Sequence, residues 1–230
     1  MTDSNRAPLP EVVERLSPGP VLLLAPHPDD DLIGAGCTAA LHSAQGDDVH
    51  VVVAYDGAAG TGASPAALAL EPAEFVALRQ REARAGGRHL GLESYEFWGY
   101  PEGHEPGPAE FEHGVGQLLA ALERVQPRTV YAPWIGEHHI DHHVLAKVAR
   151  EALRRTDFDG EAWGYEVWSA LVPTRVVDIT DFFERKAEGL AEHRSQLAHT
   201  DLVHCIRGLN AHRSLYLPEG RTYAEAFAPL

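Results

Sequence analysis

Short blocks of consecutive apolar residues alternate along this chain with longer stretches in which apolar positions return every three or four residues. Val21–Ala25, Val49–Ala54, Tyr95–Trp98 and Thr129–Ala132 have the length and the Val, Leu and aromatic content of buried strands. Leu32–Ala44, Ala73–Leu90, Phe111–Val125 and Asp141–Arg155 have helical spacing, and Gly34 and Gly36 allow the first of these to approach the sheet closely. Strands alternating with helices predict an α/β, Rossmann-like fold. In it a mostly parallel sheet carries helices on both faces, and the active site lies at the C-terminal ends of the strands.

The flanks are less regular. Residues 1–10 are polar and Pro-rich and read as a loose terminus, with a short surface helix expected over Glu11–Leu16. Tyr55–Pro72 reads as a glycine-containing loop. Trp163–Trp168 and Arg175–Ile179 predict two further strands, paired as a hairpin or at an edge around Pro173. Asp181–His199 predicts an amphipathic helix, and Tyr223–Phe227 a short packed helix. No linker or repeat divides the chain, so residues 1–230 are expected to form a single domain.

Composition narrows the partners. The net charge is −15, with 44% apolar and 23% charged residues. Such an acidic chain is a poor match for nucleic acid or an anionic membrane surface, both of which need clustered Lys and Arg. A neutral or cationic small molecule suits it better. No apolar run reaches the roughly 20 residues of a membrane span. The two cysteines, Cys37 and Cys205, make no disulfide framework, so a reducing cytoplasm is the expected compartment, and Cys37 reads as a small buried hydrophobe.

Candidate chemistry gathers directly after two of the predicted strands. The first stretch, Pro26-His27-Pro28-Asp29-Asp30-Asp31, puts an imidazole and three carboxylates on a backbone stiffened by two prolines. Asp also suits a helix N-cap, but three acids and a rigid His-Pro exceed what one cap requires. The second stretch, Pro133–His143, holds His138, His139, His142 and His143, with Asp141 as the natural N-cap of the following helix. His138 and His143 read as bystanders.

A catalytic zinc takes three protein ligands and keeps one position open. His27, one carboxylate of the first stretch and His142 supply that number. Asp29 and Asp30 are adjacent, so their side chains diverge: one can ligate while the other accepts a proton from the attacking water. His139, its charged form favoured by a nearby carboxylate, can stabilise an oxyanion or protonate a leaving amine. This set describes metal-assisted hydrolysis of an amide or ester. No serine or cysteine elbow offers a covalent route, and no G-x-G-x-x-G follows a strand to bind a dinucleotide.

These residues resemble the zinc-dependent N-acetylglucosaminyl deacetylases of the LmbE and PIG-L type. The family's A-H-P-D-D-E stands here as Pro26 to Asp31, and its H-P-D-H as His139-Ile140-Asp141-His142. Weaker echoes are Asp56–Gly60, Arg79–Glu82, Gly99–Gly103, Tyr165–Trp168, His193–Gln196 and Tyr223–Phe227. The resemblance implies His27, Asp30 and His142 as metal ligands, with one zinc per chain and other divalent transition metals as alternatives. It further implies Asp29 as general base, His139 acting on the oxyanion or leaving group, Asp141 orienting a histidine, and Arg79 near the substrate. The implied substrate is an N-acetylated amino sugar or a conjugate of one. An amidase for larger acyl groups and a non-catalytic nucleotide-binding module remain alternatives. The chain departs from the pattern at Asp31, where the family has Glu, and at Ile140, where it has Pro. Glu137 and His138 stand where some relatives carry a tyrosine that donates to the oxyanion.

Overall fold

A computed structural model describes residues 8–61, 69–198 and 200–230. In chain order the elements are β1 (Glu11–Val13), β2 (Val21–Ala25), α1 (Asp30–Ala44), β3 (Val49–Tyr55), α2 (Pro72–His89), β4 (Ser94–Tyr100), α3 (Pro108–Val125) and β5 (Thr129–Pro133). They continue as α4 (Ile140–Arg155), β6 (Glu161–Tyr165), β7 (Arg175–Asp178), α5 (Phe183–Ala191), α6 (Arg194–Leu197), α7 (Leu202–Arg213) and β8 (Ala224–Pro229). All eight strands form one sheet in the order β1-β7-β8-β6-β5-β2-β3-β4. Pairing is parallel except where β8 runs antiparallel to β6 and to β7.

The centre of the sheet is β2, every residue of which is fully buried. Val21, Leu23 and Ala25 face one layer with Leu32, Ala83, Phe183, Leu190 and Ile206 of α1, α2, α5 and α7. Leu22 and Leu24 face the other with Val115, Leu118, Val144 and Leu145 of α3 and α4. Alternating strand residues thus fill two cores, as expected of a sheet covered on both faces.

Connectivity reverses at β2. The chain leaves it for β3 and β4 on one side, then returns to β5 on the other. Such a switch point opens a crevice at the strand C-terminal ends, and here it sets the loops after β2 and β5 side by side.

One close approach shapes α1. A Cβ on Gly34 would overlap the ring of Tyr165 on β6, whose hydroxyl donates to the carbonyl of Leu24 at 2.7 Å. The next residue, Ala35, leaves helical geometry, and Lys186 Nζ donates to the Ile33 carbonyl there. Lys186 is also paired with Glu225 of β8 at 2.8 Å, and Glu225 accepts from the backbone N–H groups of Cys37 and Thr38. Cys37 is fully buried, in keeping with a packing role.

The flanks correct several sequence expectations. Glu11–Leu16 is not a surface helix. Prolines flank the segment, and its two β-branched valines extend along β7 as an edge strand. β6 and β7 do not pair with each other, because β8 lies between them. The strand expected over Trp163–Trp168 ends at Tyr165. Tyr223–Phe227 belongs to strand β8 and not to a helix: Ala224, Glu225, Ala226 and Phe227 are buried between two neighbouring strands, and that position overrides the helix preference of Ala and Glu. Asp181–His199 breaks around Glu192 and His193 into α5 and α6, and α7 was not expected. Residues 1–7 and 62–68 lie outside the described residues. Among those described, no helix is long and apolar enough to cross a membrane.

Candidate metal centre

The loop after β2 turns sharply enough to put its histidine against its second aspartate. His27 N–H donates to Asp30 Oδ2 at 2.9 Å, and His27 Nδ1 lies 3.0 Å from the same oxygen. Across the crevice, the first turn of α4 brings His142 Nε2 to 3.1 Å from Asp30 Oδ2 and 3.3 Å from His27 Nδ1. Residues far apart in the chain, His27 and Asp30 on one side and His142 on the other, therefore present three ligand-type atoms to one point. All three are buried.

Protons satisfy this cluster poorly. Burial alone would lower both imidazoles. Asp141, Asp30 and Glu102 instead raise His27 to about 10, and Asp30 and Glu137 raise His142 to about 9. Burial opposes ionisation of Asp30 as well, yet the two histidines hold it well below the usual carboxylate range. Two protonated rings would then point N–H groups at each other across 3.3 Å. A single cation removes that conflict. Tetrahedral zinc with bonds of about 2.0–2.2 Å has ligand-to-ligand edges of roughly 3.3–3.6 Å. The observed separations of 3.0–3.3 Å are close to those edges, so the cluster fits a metal site. His139 also falls within a group of potential ligands with His27 and His142.

The surrounding residues orient the rings. His27 Nε2 lies 3.0 Å from Asp141 Oδ2, and the Asp141 carboxylate accepts the Gly103 N–H at 3.0 Å. Asp141 is not the N-cap expected from the sequence. Helix α4 starts at Ile140, His139 occupies the cap and accepts the Asp141 N–H on Nδ1 at 3.3 Å, and the Asp141 side chain is free to turn inward. Burial would raise Asp141, but the hydrogen bonds from His27 and Gly103 outweigh it and keep its carboxyl low.

His139 sits at the mouth, its side chain 42% exposed, with its ring centroid 4.9 Å from those of His27 and His142. Partial burial and these two rings lower its pKa, and Asp141 at 3.8 Å does not reverse that. The charged form expected from a nearby carboxylate is therefore disfavoured. With Nδ1 accepting, the proton of the neutral ring is assigned to Nε2.

Asp29 lines the same cleft without joining the cluster. Its Oδ2 is 3.3 Å from Arg79 NH2, and Arg79 NH1 donates to the Gly57 carbonyl at 3.0 Å. Gly57 has φ +73, and a Cβ there would strike the guanidinium, so glycine is required on both counts. Arg79 is thus a buried clamp between Asp29 and the loop after β3. Asp31 is buried behind the site. It accepts the Tyr95 hydroxyl at 2.5 Å, and burial pushes it up to about 7.

Two further acids belong here, Glu102 and the Glu137 that stands in place of the relatives' tyrosine. Glu102 Oε2 is 3.3 Å from His27 Nε2, and burial raises its pKa. Glu137 Oε2 is 3.3 Å from His142 Nδ1 and also accepts the Trp168 N–H, while Oε1 accepts those of Val167 and Ser169. Glu137 is consequently an acceptor, not a replacement for an oxyanion donor. The cue in the sequence was position, Glu137 within the second histidine stretch and Glu102 in Gly99-Tyr-Pro-Glu-Gly. His143 Nδ1 is tied to the Ile135 carbonyl at 2.8 Å, and His138 is exposed.

His27, Asp29, Asp30, Arg79, Glu102, His139 and Asp141 line a polar cleft of about 310 Å³, while His142 and Glu137 are buried and outside its lining. An apolar cavity of about 270 Å³ lies on the other side of the Tyr100–His104 loop; His104 and Glu110 pair at its rim at 3.6 Å, but among the described residues no group of three potential metal ligands converges in it.

Residues 22–153, more than half of the chain, match the family model of the PIG-L GlcNAc-PI de-N-acetylases, and the chain belongs to that family. Over 152 residues it is 31% identical to the 1D-myo-inositol 2-acetamido-2-deoxy-alpha-D-glucopyranoside deacetylase of Streptomyces avermitilis, which covers 57% of this chain. The chain spans 52% of that relative's length, and 64% and 54% of its counterparts in Streptomyces scabiei and Corynebacterium urealyticum. Among solved structures, N,N'-diacetylchitobiose deacetylase from Pyrococcus horikoshii superposes with a TM-score of 0.76 at 28% identity, over 92% of this chain and 83% of that one. The 4-carboxy-2-hydroxymuconate hydratase of Pseudomonas putida KT2440 reaches a TM-score of 0.77 at 21% identity, over 92% and 96% of the two chains. That likeness is one of fold alone, so the reaction has to be argued from the side chains.

Proposed function

We propose that this chain is a zinc-dependent hydrolase that removes the N-acetyl group from an N-acetylated amino sugar or its conjugate, releasing acetate and a free amine. The observation that carries this reading is the meeting of His27 Nδ1, Asp30 Oδ2 and His142 Nε2 within 3.3 Å of one another, with Asp29 in the same cleft but outside the cluster. Family membership and the deacetylases among its relatives support the choice of an acetamide as substrate.

In this reading His27, Asp30 and His142 hold the metal. When bound, zinc would supply Lewis acidity toward the acyl oxygen and lower the pKa of a water. Asp29 takes the proton of the attacking water and passes it to the leaving nitrogen. The Arg79 clamp fixes the carboxylate of Asp29 in rotamer and direction, so Arg79 acts on the base as well as beside the substrate. Neutral His139 donates from Nε2 to the oxygen on which charge develops, a role its lowered pKa favours over that of a proton source. Asp141 holds His27 in the tautomer that leaves Nδ1 for the metal. The partner is a small molecule. The two free cysteines, one of them exposed, suit a reducing cytoplasm.

The test is acetate and primary-amine release from a panel of free and glycosylated N-acetyl amino sugars, before chelation, after it, and after zinc is restored. Larger N-acyl donors in the same panel separate a deacetylase from an amidase of broader reach. Hydrolysis that survives complete metal removal would refute the proposal.

A further inference from the structure

The turn after β6 has no regular secondary structure, yet side chains tie its backbone at Val167, Trp168, Ser169 and Leu171. Glu137 accepts the N–H groups of Val167, Trp168 and Ser169. Trp134 Nε1 donates to the Ser169 carbonyl at 2.9 Å, and the His138 N–H donates to Ser169 Oγ at 3.0 Å. Glu166 accepts the Leu171 N–H and is itself held by Arg213 in a buried pair. Val167 and Leu171 anchor the turn in the core.

From this fixed turn the Trp168 side chain projects outward, 52% exposed, onto the wall of the polar cleft. An indole left half in water forgoes about half of the stabilisation its full burial would bring. Its backbone, by contrast, is over-determined, and the carboxylate that pins it also faces His142 at 3.3 Å. The backbone that carries the indole is therefore fixed with respect to the metal cluster, which sets the ring at a defined place on the cleft wall.

We propose that Trp168 is the platform on which the pyranose ring of the substrate lies, its apolar C–H face against the indole, with the acetamide directed toward His27 and His142. The proposal rests on the amino-sugar reading above. The chemistry follows from the two walls of the cleft. Carboxylates and imidazoles on one side call for a ligand rich in hydroxyl groups, and a flat apolar ring on the other calls for one with a broad C–H face. A pyranose has both, whereas an acyclic N-acetyl amine has no such face. The side chain thereby selects a sugar over other acetamides without touching the reacting atoms.

The zinc-loaded protein and its Trp168→Ala and Trp168→Phe forms are assayed on methyl N-acetylglucosaminide and on acyclic N-acetylethanolamine, with KM and kcat read separately. Trp168→Ala is expected to raise the KM for the glycoside roughly tenfold with little change in kcat, from the usual worth of one aromatic stacking contact. Preference for the glycoside over N-acetylethanolamine falls by the same factor, and Trp168→Phe restores most of it. Calorimetric binding of N-acetylglucosamine, which needs no turnover, should weaken in parallel. Turnover of the glycoside with unaltered KM and binding in Trp168→Ala, or equal KM rises for both substrates, overturns the platform and leaves the deacetylase reading standing. A wild-type protein that cleaves acyclic acetamides but neither binds nor cleaves any pyranoside overturns both.

Discussion

Replacing Asp29 by Asn separates the proposed base from the metal cluster more cleanly than any other single change. The carboxylate lies beside Arg79 at 3.3 Å and makes no contact with the point shared by His27, Asp30 and His142, so metal content should be unaltered. Turnover should fall by about 10²–10⁴-fold, the usual contribution of a positioned base. That loss equals roughly 2.7–5.4 kcal/mol of barrier. Asn is preferable to Ala because Arg79 is buried and its Nε already lacks a partner. Ala would leave the guanidinium with only the Gly57 carbonyl and cost up to about 3–5 kcal/mol of stability, whereas Asn retains an acceptor for NH2. The two variants should therefore lose similar activity but differ in urea midpoint. The assay pairs amine release under saturating substrate with zinc content by elemental analysis. If Asp29→Asn keeps its zinc and turns over within a few-fold of the parent, Asp29 is not the base.

Asp141→Asn should weaken zinc binding about 10–100-fold in chelator competition, because His27 loses the anion that orients its ring; an unchanged affinity would argue against ligation through His27 Nδ1. Zinc affinity should also climb with pH: His27 at about 10 and His142 at about 9 are both protonated at neutrality in the metal-free protein. Each must shed a proton to ligate, so the affinity rises by up to roughly 100-fold per pH unit below pH 9, and a flat profile from pH 6 to 8 would count against this ligand set. By the same shifts, both histidines stabilise the metal-free fold fully below their unfolded value near 6.5. That contribution should fade as pH rises through 9 and 10, which urea titrations across the range would detect. Lys186→Met strands Glu225 in the core and should cost about 3–5 kcal/mol, read as a lowered urea midpoint; a loss under 1 kcal/mol would show that the pair is not what holds α1.

The central half of the fold was legible because its signals are local. Val21–Ala25 is apolar without interruption, and a strand buried on both faces reads that way. The prolines and acids that end it mark the sheet edge as clearly as a turn would. Parallel crossovers then bring the loops after β2 and β5 together, so His27, one carboxylate of the first stretch and His142 could be grouped from the sequence, and the family resemblance pointed to Asp30 as that carboxylate. Segment 224–229 was not legible: Ala-Glu-Ala-Phe has helix-forming composition, and only the gap between β6 and β7 makes it a strand. The cap of α4 was misplaced by two residues, because His139 and Asp141 both suit that position and the choice depends on His27 and Gly103 across the cleft. Glu102 and Glu137 resemble ordinary loop acids in sequence. Their roles come from facing His27 and His142, which is a property of the assembled site alone.

Because β8 is wedged between β6 and β7, the sheet cannot be completed in the order in which it is synthesised. As the polypeptide leaves the ribosome, β6 and β7 emerge well before the segment that joins them, and until residues 224–229 arrive the β6 edge has open hydrogen-bonding groups. Lys186 is meanwhile waiting for its counter-ion, since Glu225 travels on the same late strand. The part of the sheet that carries His27, Asp30 and His142 can assemble early. Its closure against β7 and α5 waits for residues 224–229, and in that interval the protein is open to mispairing with another copy of itself.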